Sequence, residues 1–274
     1  MPDSHAALVD ELRLTPGKPV RLDRIDPADT LGLPGKQQAQ RALAKNVARI
    51  AALQERLHAE DERALLVVLQ ALDAGGKDGT TRAVFSGVNP QGCKVTSFKA
   101  PSSTELDHDF LWRIHHAMPG RGEIGVFNRS HYEDVLVVRV DGLVPKAVWS
   151  RRYEQINGFE RYLTETGTEI VKLFLHISRE EQAERLRERL EDPAKRWKFS
   201  PADLKKRAQW DDYRAAYEDM LRRCTTDHAP WYVVPGDRNW VRNLAVSAIV
   251  LAKLEEMDPR FPQPDWDPAA IVVD

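Results

Sequence analysis

Asp73-Ala-Gly-Gly-Lys77-Asp78-Gly79-Thr80-Thr81 is a glycine-rich turn that directly follows an apolar run, Leu65-Leu-Val-Val-Leu-Gln-Ala-Leu72. A buried strand, a turn of small residues, a lysine and a helix start, in that order, are the arrangement of a phosphate-binding loop; the bland alternative is a tight strand-to-helix turn with a solvated lysine. Small residues let the backbone curl until its N–H groups point at one anion, and Lys77 adds a compact charge that reaches a phosphate. Gly76, Asp78, Gly79 and Thr80 surround that lysine and are candidate substrate contacts. The spacing departs from G-x-x-x-x-G-K-[ST] at two places: Ala71 stands at the first glycine, and Asp78 stands where a hydroxyl touches magnesium. Asp73 is a further oddity, because a carboxylate repels phosphate unless a cation lies between them. Magnesium suits that bridge, since it takes oxygen ligands and keeps its waters. Two other readings of Asp73 stay open: a general base for a hydroxyl acceptor, and a turn aspartate bonded to its own backbone.

Outward from the loop, periodicity organises the rest. Residues 36–60 place Leu43, Val47, Ile50, Leu53 and Leu57 on one helical face. The run over 65–72 is apolar throughout, as a buried parallel strand is. Beyond the loop the pattern predicts a helix from about Thr80 to Ser86, a strand over Val95–Phe98, a helix over Ser103–Ala117 and a strand over Gly122–Phe127. Ser130 with Glu133 three residues later is a capping box, so residues 135–140 are assigned to a helix despite their strand formers. Further helices are expected over Trp149–Thr166, from Ser178 to about Leu190, from Ser200 to about Arg223 and over Asn239–Glu256, with strands at Ile170–Ile177 and Trp231–Val234. Alternating strands and helices imply an α/β fold, a parallel sheet covered on both faces. Residues 1–35 read as an extended arm that packs on the body or on a neighbouring subunit. Residues 36–274 read as one domain with a lid at about 180–210 and a proline-containing tail.

Composition narrows the function classes. With 42% hydrophobic and 30% charged residues the 274-residue chain reads as soluble and globular, and its net charge of −2 provides no global field for a polyanion. Any polyanion site is therefore a local patch. Cys93 and Cys224 lack metal-ligand spacing and read as free thiols of a reducing cytoplasm. No run is apolar enough to cross a bilayer, and cations are not interleaved with stacking aromatics, so neither membrane nor nucleic acid is an expected partner.

Two more constellations accompany the loop. Phe127-Asn128-Arg129-Ser130-His131-Tyr132-Glu133-Asp134 follows a strand, at the sheet edge where open α/β sheets bind ligands. Arg129 offers a fork for phosphate oxygens, and Asn128 and Asp134 offer oxygens to a metal. The bland alternative is a helix cap with a surface arginine; His131 reads as a packing residue. The segment from Arg185 to Arg207 carries Arg185, Arg187, Arg189, Lys195, Arg196, Lys198, Lys205, Lys206 and Arg207, with Asp192–Pro201 as a loop between two helices. It reads as a lid closing cations over phosphates, with Arg189, Lys195 and Lys198 as candidate contacts, or as a solvated hairpin laced by its own ion pairs. Trp197 inside it is expected to pack on something. Arg113 is a candidate phosphate contact on the helix after the second strand.

These motifs resemble the polyphosphate kinase 2 family. They are Asp73-Ala-Gly-Gly-Lys-Asp-Gly-Thr80, His108-Asp-Phe-Leu-Trp-Arg113, Phe127-Asn-Arg-Ser-His-Tyr-Glu-Asp134 and Asp192-Pro-Ala-Lys-Arg-Trp-Lys198, within residues 36 to 262. The resemblance implies a P-loop kinase-like (thymidylate-kinase-like) sheet with a helical lid, magnesium, and transfer of a terminal phosphoryl group between inorganic polyphosphate and nucleotides. It matches Asp73 to a metal-positioning catalytic aspartate, Lys77 to the phosphate lysine and Arg129 to the arginine of the second motif. Many relatives have aspartate where Asn128 stands, which points to Asp134 as the compensating ligand. The Asn-Arg-Ser-His-Tyr-Glu-Asp form is similar to the subgroup acting on both AMP and ADP, with ATP as the further product. The expected reaction sets polyphosphate along the lid, with its end near Lys77 and Arg129 and the nucleotide phosphate attacking in line. The alternatives are an ATP-dependent nucleoside monophosphate kinase and a non-catalytic polyphosphate-binding protein. The arm and the seven tryptophans suggest a dimer or tetramer.

Overall fold

The computed structural model describes residues 3–33, 35–267, 270, 271 and 273. Parts of the expected arm and tail thus lie outside the described residues. Five parallel strands form one sheet: β1 (Ala64–Gln70), β2 (Cys93–Ser97), β3 (Ile124–Asn128), β4 (Thr168–His176) and β5 (Trp231–Pro235), in the order β2-β3-β1-β4-β5. The helices are α1 (Asp3–Leu12), α2 (Lys36–Glu60), α3 (Lys77–Phe85), α4 (Ser103–Leu106), α5 (Trp112–His116), α6 (Val137–Val140), α7 (Lys146–Glu165), α8 (Arg179–Glu191), α9 (Pro201–Ala208), α10 (Trp210–Cys224) and α11 (Asn239–Met257).

β1, β3, β4 and β5 are buried on both faces, so alternate residues feed two cores, while the edge strand β2 is largely exposed. Leu65, Val67 and Leu69 point into one core with Ile50 and Leu57 of α2 and Ala245 and Ile249 of α11. Leu66 and Val68 point into the other, with Tyr153 and Ile156 of α7 and Tyr217 and Leu221 of α10. After β1 the chain crosses to β2 and returns through β3; after β3 it passes to the far side of β1 as β4. That reversal opens a crevice at the carboxyl ends of β1 and β3, where the loop Asp73–Gly76 and the turn at Arg129 both emerge.

Several expectations change. The arm is not extended: its α1 inserts Leu8, Val9 and Leu12 into the first core, and Arg13 bridges Tyr232 of β5. The expected helix over Ser103–Ala117 breaks, because the Asp109 carboxylate takes the Leu111 N–H at 2.9 Å and holds a turn between α4 and α5. The expected helix from Ser200 to Arg223 divides at Gln209 into α9 and α10. Helix α3 starts at Lys77, three residues earlier than the pattern indicated.

Candidate phosphoryl-transfer site

The loop curls through two left-handed residues, Ala74 (φ 62°) and Gly76 (φ 94°), before α3 begins. Lys77 is the first residue of α3 and is buried; its Nζ donates to the carbonyls of Ala71 at 2.9 Å and Leu72 at 3.4 Å. Burial, then the like charge of Arg129, lowers its pKa to about 8. The lysine is thus folded back on its own loop, with its ammonium held by two loop carbonyls.

Arg129 ends the Asn128 strand with φ 64°, a left-handed conformation rarely taken outside glycine. Its N–H is held by the Leu69 carbonyl at 3.1 Å, which ties the turn to β1. The strained turn aims the guanidinium at the loop, where it donates to Asp73 and, at 2.9 Å, to Glu133. Burial disfavours the Arg129 charge, but Glu133 and Asp73 outweigh it and hold it firmly protonated. Burial would likewise lift the Asp73 pKa; Arg129, Lys77 and Lys206 outweigh it and keep the carboxyl below its usual range. The capping box at Ser130 does not form. Ser130 Oγ takes the Tyr132 N–H, and the Glu133 carboxylate is drawn to Arg129, where both partners of the bond carry charge rather than one.

The lid stands over this pair. Helix α8 is fastened to the loop: Gln182 Nε2 donates to the Asp73 carbonyl at 2.9 Å, and Arg185 donates to the carbonyls of Ala74 at 3.1 Å and Gly236 at 2.6 Å. From the far arm, Lys206 reaches Asp73 at 3.4 Å and Lys198 reaches Asp78 at 3.9 Å. Asn128 Nδ2 also donates to Asp78, at 2.6 Å. A small cleft remains between Asp73, Arg129, Gln182, Lys206 and Tyr213.

The structure therefore brings together Asp73, Gly76, Lys77, Asp78, Asn128, Arg129 and Lys198. Gly79 and Thr80 lie in the first turn of α3, with Thr80 fully buried. Other candidates stand elsewhere. Arg189 donates to the Lys198 carbonyl at 3.2 Å and pairs with Asp203, so it braces the lid from inside. Lys195 pairs with Asp192 at 3.3 Å and Glu188 at 3.8 Å on the outer face. Arg113 donates to the Lys99 carbonyl and lies over the Phe98 ring. Asp134 stands apart from the loop: Arg152 grips its carboxylate at 2.7 Å and its carbonyl at 3.2 Å, and it does not line the cleft. The packing expected of Trp197 is corrected. It is 78% exposed and packs on little beyond Lys198, whose ammonium lies over its ring.

Gln182 and Glu133 carry no sequence signal as site residues, and Lys206 stands out in the sequence only within a run. The support beneath the Arg129 turn likewise lies outside the sequence-based expectations. Lys172, fully buried in β4, donates to Glu160 at 2.6 Å, to the Tyr132 hydroxyl at 2.9 Å and to the Cys224 carbonyl at 2.6 Å. Glu160 also receives the Tyr132 hydroxyl at 2.6 Å and lies 3.1 Å from His131 Nε2. A lysine inside an apolar strand was the signal that could have found this.

Among the described residues no group of three His, Cys, Asp or Glu forms a metal cage. Magnesium does not require one, since one or two carboxylates plus substrate phosphates and water suffice. Asp73 fits that pattern, as does Asp78, and the Asn128 amide oxygen accepts no hydrogen bond among the described residues.

The sequence profile described as Polyphosphate kinase 2 (PPK2) matches residues 34–262. The AMP/ADP-polyphosphate phosphotransferase of Meiothermus ruber is 52% identical over 263 residues, covering 96% of this chain and 98% of its own length. The ADP-polyphosphate phosphotransferase of Rhodopseudomonas palustris is 46% identical over 240 residues, 83% of each chain. The crystal structure of Polyphosphate Kinase 2 from Arthrobacter aurescens superposes with a TM-score of 0.92 at 45% identity, over 96% of this chain and 94% of that one.

Proposed function

The chain belongs to the polyphosphate kinase 2 family, and we propose that it transfers the terminal phosphoryl group of inorganic polyphosphate to AMP and ADP, reversibly, with magnesium. The observation that carries this reading is the acidic loop residue Asp73, held between Arg129 and Lys206 beside the buried Lys77. An ATP-type loop needs no such carboxylate. Two polyanions that meet here do, because a divalent cation must lie between them. The names of the Meiothermus ruber and Rhodopseudomonas palustris relatives support AMP and ADP as acceptors.

In this mechanism an oxygen of the nucleotide's terminal phosphate attacks the end phosphorus of polyphosphate in line. The terminal P–O–P bond breaks, and the shortened chain leaves with the bond's electron pair. The attacking oxygen is already ionised, so no general base is needed. Lys77 and Arg129 orient the transferred group and neutralise charge spread over its oxygens. Lys206 and Lys198 bring further charge from the lid, and closure excludes water that would otherwise hydrolyse the donor. Asp73, with Asp78 and Asn128 nearby, would hold a magnesium ion, and the chemistry that ion would supply is screening of the repulsion between donor and acceptor.

The test is incubation with polyphosphate, magnesium and AMP in the absence of ATP, followed by nucleotide chromatography. ADP and ATP are the expected products; no product from either AMP or ADP rejects the reading. Asp73→Asn is expected to remove at least ~99% of turnover, the scale of losing a preorganised electrostatic group, while leaving the fold intact. Near-normal turnover in that variant would refute the role of the carboxylate.

A further inference from the structure

Arg242, in the first turns of α11, is 2% exposed. Its guanidinium makes no ion pair among the described residues. It donates to amide oxygens: Asn239 Oδ1 at 2.7 Å and Asn243 Oδ1 at 3.1 and 3.3 Å. Glu181, an acid whose field reaches it, is already paired with Arg185 at 2.8 Å, and Arg185 itself repels Arg242. Burial, then that like charge, pushes the Arg242 pKa down to about 9. A buried cation with no paired acid is costly, and an anion brought beside it relieves that cost.

What lies against the guanidinium indicates the anion. A Cβ added at Gly76 would fall 2.1 Å from Arg242 Nη1, and one at Gly79 would fall 3.5 Å from Nη2. The guanidinium therefore packs flush on the α-carbons of the loop, at the N-cap and in the first turn of the nine-residue α3. A phosphate seated on the first amides of α3 is separated from this charge by glycine backbone alone. Any larger side chain at Gly76 would hold the two apart.

We propose that Arg242 is a positioning residue for the phosphate donor: its buried, acid-free charge is neutralised by the polyphosphate phosphate held on the loop. It therefore acts on donor affinity and burdens the empty protein. This rests on the loop being the polyphosphate site.

The experiment uses the full chain carrying Arg242→Met, which keeps much of the volume and removes the charge. Thermal unfolding is followed with and without sodium tripolyphosphate, and steady-state rates are measured against polyphosphate and against AMP. The unliganded variant is expected to melt at or above the wild-type temperature and to show a smaller upward shift with tripolyphosphate. Its KM for polyphosphate is expected to rise roughly ten- to fifty-fold, the weight of one partly shielded charge pair. The KM for AMP is expected to stay within about twofold, since a contact to the donor alone leaves acceptor binding unmoved. Arg242→Lys restores most of the donor affinity. An unchanged KM for polyphosphate overturns the proposal, as does an Arg242→Met chain that melts lower or fails to fold without ligand. If wild type shows neither polyphosphate-dependent turnover nor a tripolyphosphate shift, the functional reading itself has failed. If wild type shows both and the variant matches it, only the role of Arg242 has.

Discussion

Lys172→Met tests whether the buried network beneath the Arg129 turn holds the fold. Lys172 and Glu160 are both fully buried and 2.6 Å apart. Burial would raise the Glu160 pKa, but Lys172 and His131 outweigh it and keep the carboxylate ionised. Removing the ammonium leaves that anion buried, with only the His131 ring and the Tyr132 hydroxyl beside it. It also strips a donor from the Cys224 carbonyl. Breaking such a pair from one side costs about 3–5 kcal/mol. For a chain of this length the unfolding entropy is roughly 0.6 kcal/mol per kelvin, so Tm should fall by about 5–9 °C. The double variant Lys172→Met with Glu160→Leu removes both charges, and at least half of the loss is expected to return, because the desolvation cost leaves with the pair. Urea unfolding of wild type, both single variants and the double variant gives the full cycle. A single variant that loses under about 1 kcal/mol, or a double variant less stable than Lys172→Met, would refute the reasoning.

The remaining predictions concern the loop and lid. Lys77 has a pKa near 8 in the empty loop, and a bound phosphate favours its charged form, so binding near pH 8 should take up protons. Titration calorimetry with tripolyphosphate in two buffers of different ionisation enthalpy reads that uptake directly, and identical heats in both would contradict it. Gly76→Ala forces a side chain into a φ of 94° and onto Arg242 Nη1. The left-handed conformation alone costs about 1–2 kcal/mol, so the variant should unfold at lower urea and lose the tripolyphosphate shift. Lys206→Met removes the 3.4 Å contact to Asp73, a partly exposed pair that contributes about 1 kcal/mol to holding the lid. Hydrogen exchange over residues 196–208 of the unliganded protein should quicken roughly fivefold. Unchanged exchange would mean that Gln182 and Arg185 hold the lid without it.

How much of this was legible in the sequence follows from the range of each interaction. The loop was readable because its pattern is local: an apolar strand, small residues and Lys77 lie within fifteen positions, and each acts on its chain neighbours. The two split helices were not. Nothing like proline or glycine marks Gln209; the break separates α9, whose Leu204 stays exposed, from α10, whose Tyr213, Tyr217 and Leu221 enter the core. Only the packing of α10 against α7 and the sheet reveals that one segment serves two tasks. The break at Asp109 did carry a local signal, a short carboxylate able to bond the backbone two residues on, but helical periodicity masked it. Glu133 reads as a cap because sequence spacing cannot weigh a backbone N–H against an arginine whose own turn is strained toward Asp73.

The cationic segment shows the limit most sharply, because both readings of it are realised at once. Lys195 pairs with Asp192 and Glu188, and Arg187 with Glu184, as a solvated hairpin would have it. Lys198 and Lys206, eight residues apart on either side of the start of α9, reach Asp78 and Asp73 instead. Their charges are identical to the others; what differs is the direction in which each leaves its backbone. That direction is fixed by α8, which Gln182 and Arg185 lock onto the loop carbonyls, and by Arg189, which ties the Lys198 carbonyl and Asp203 into the lid turn. The residues that bring the lid to the phosphates are therefore not the cations that meet them. A charge count along the chain lists Arg185 and Arg189 beside Lys198 and Lys206, passes over Gln182, and has no means of telling the two groups apart.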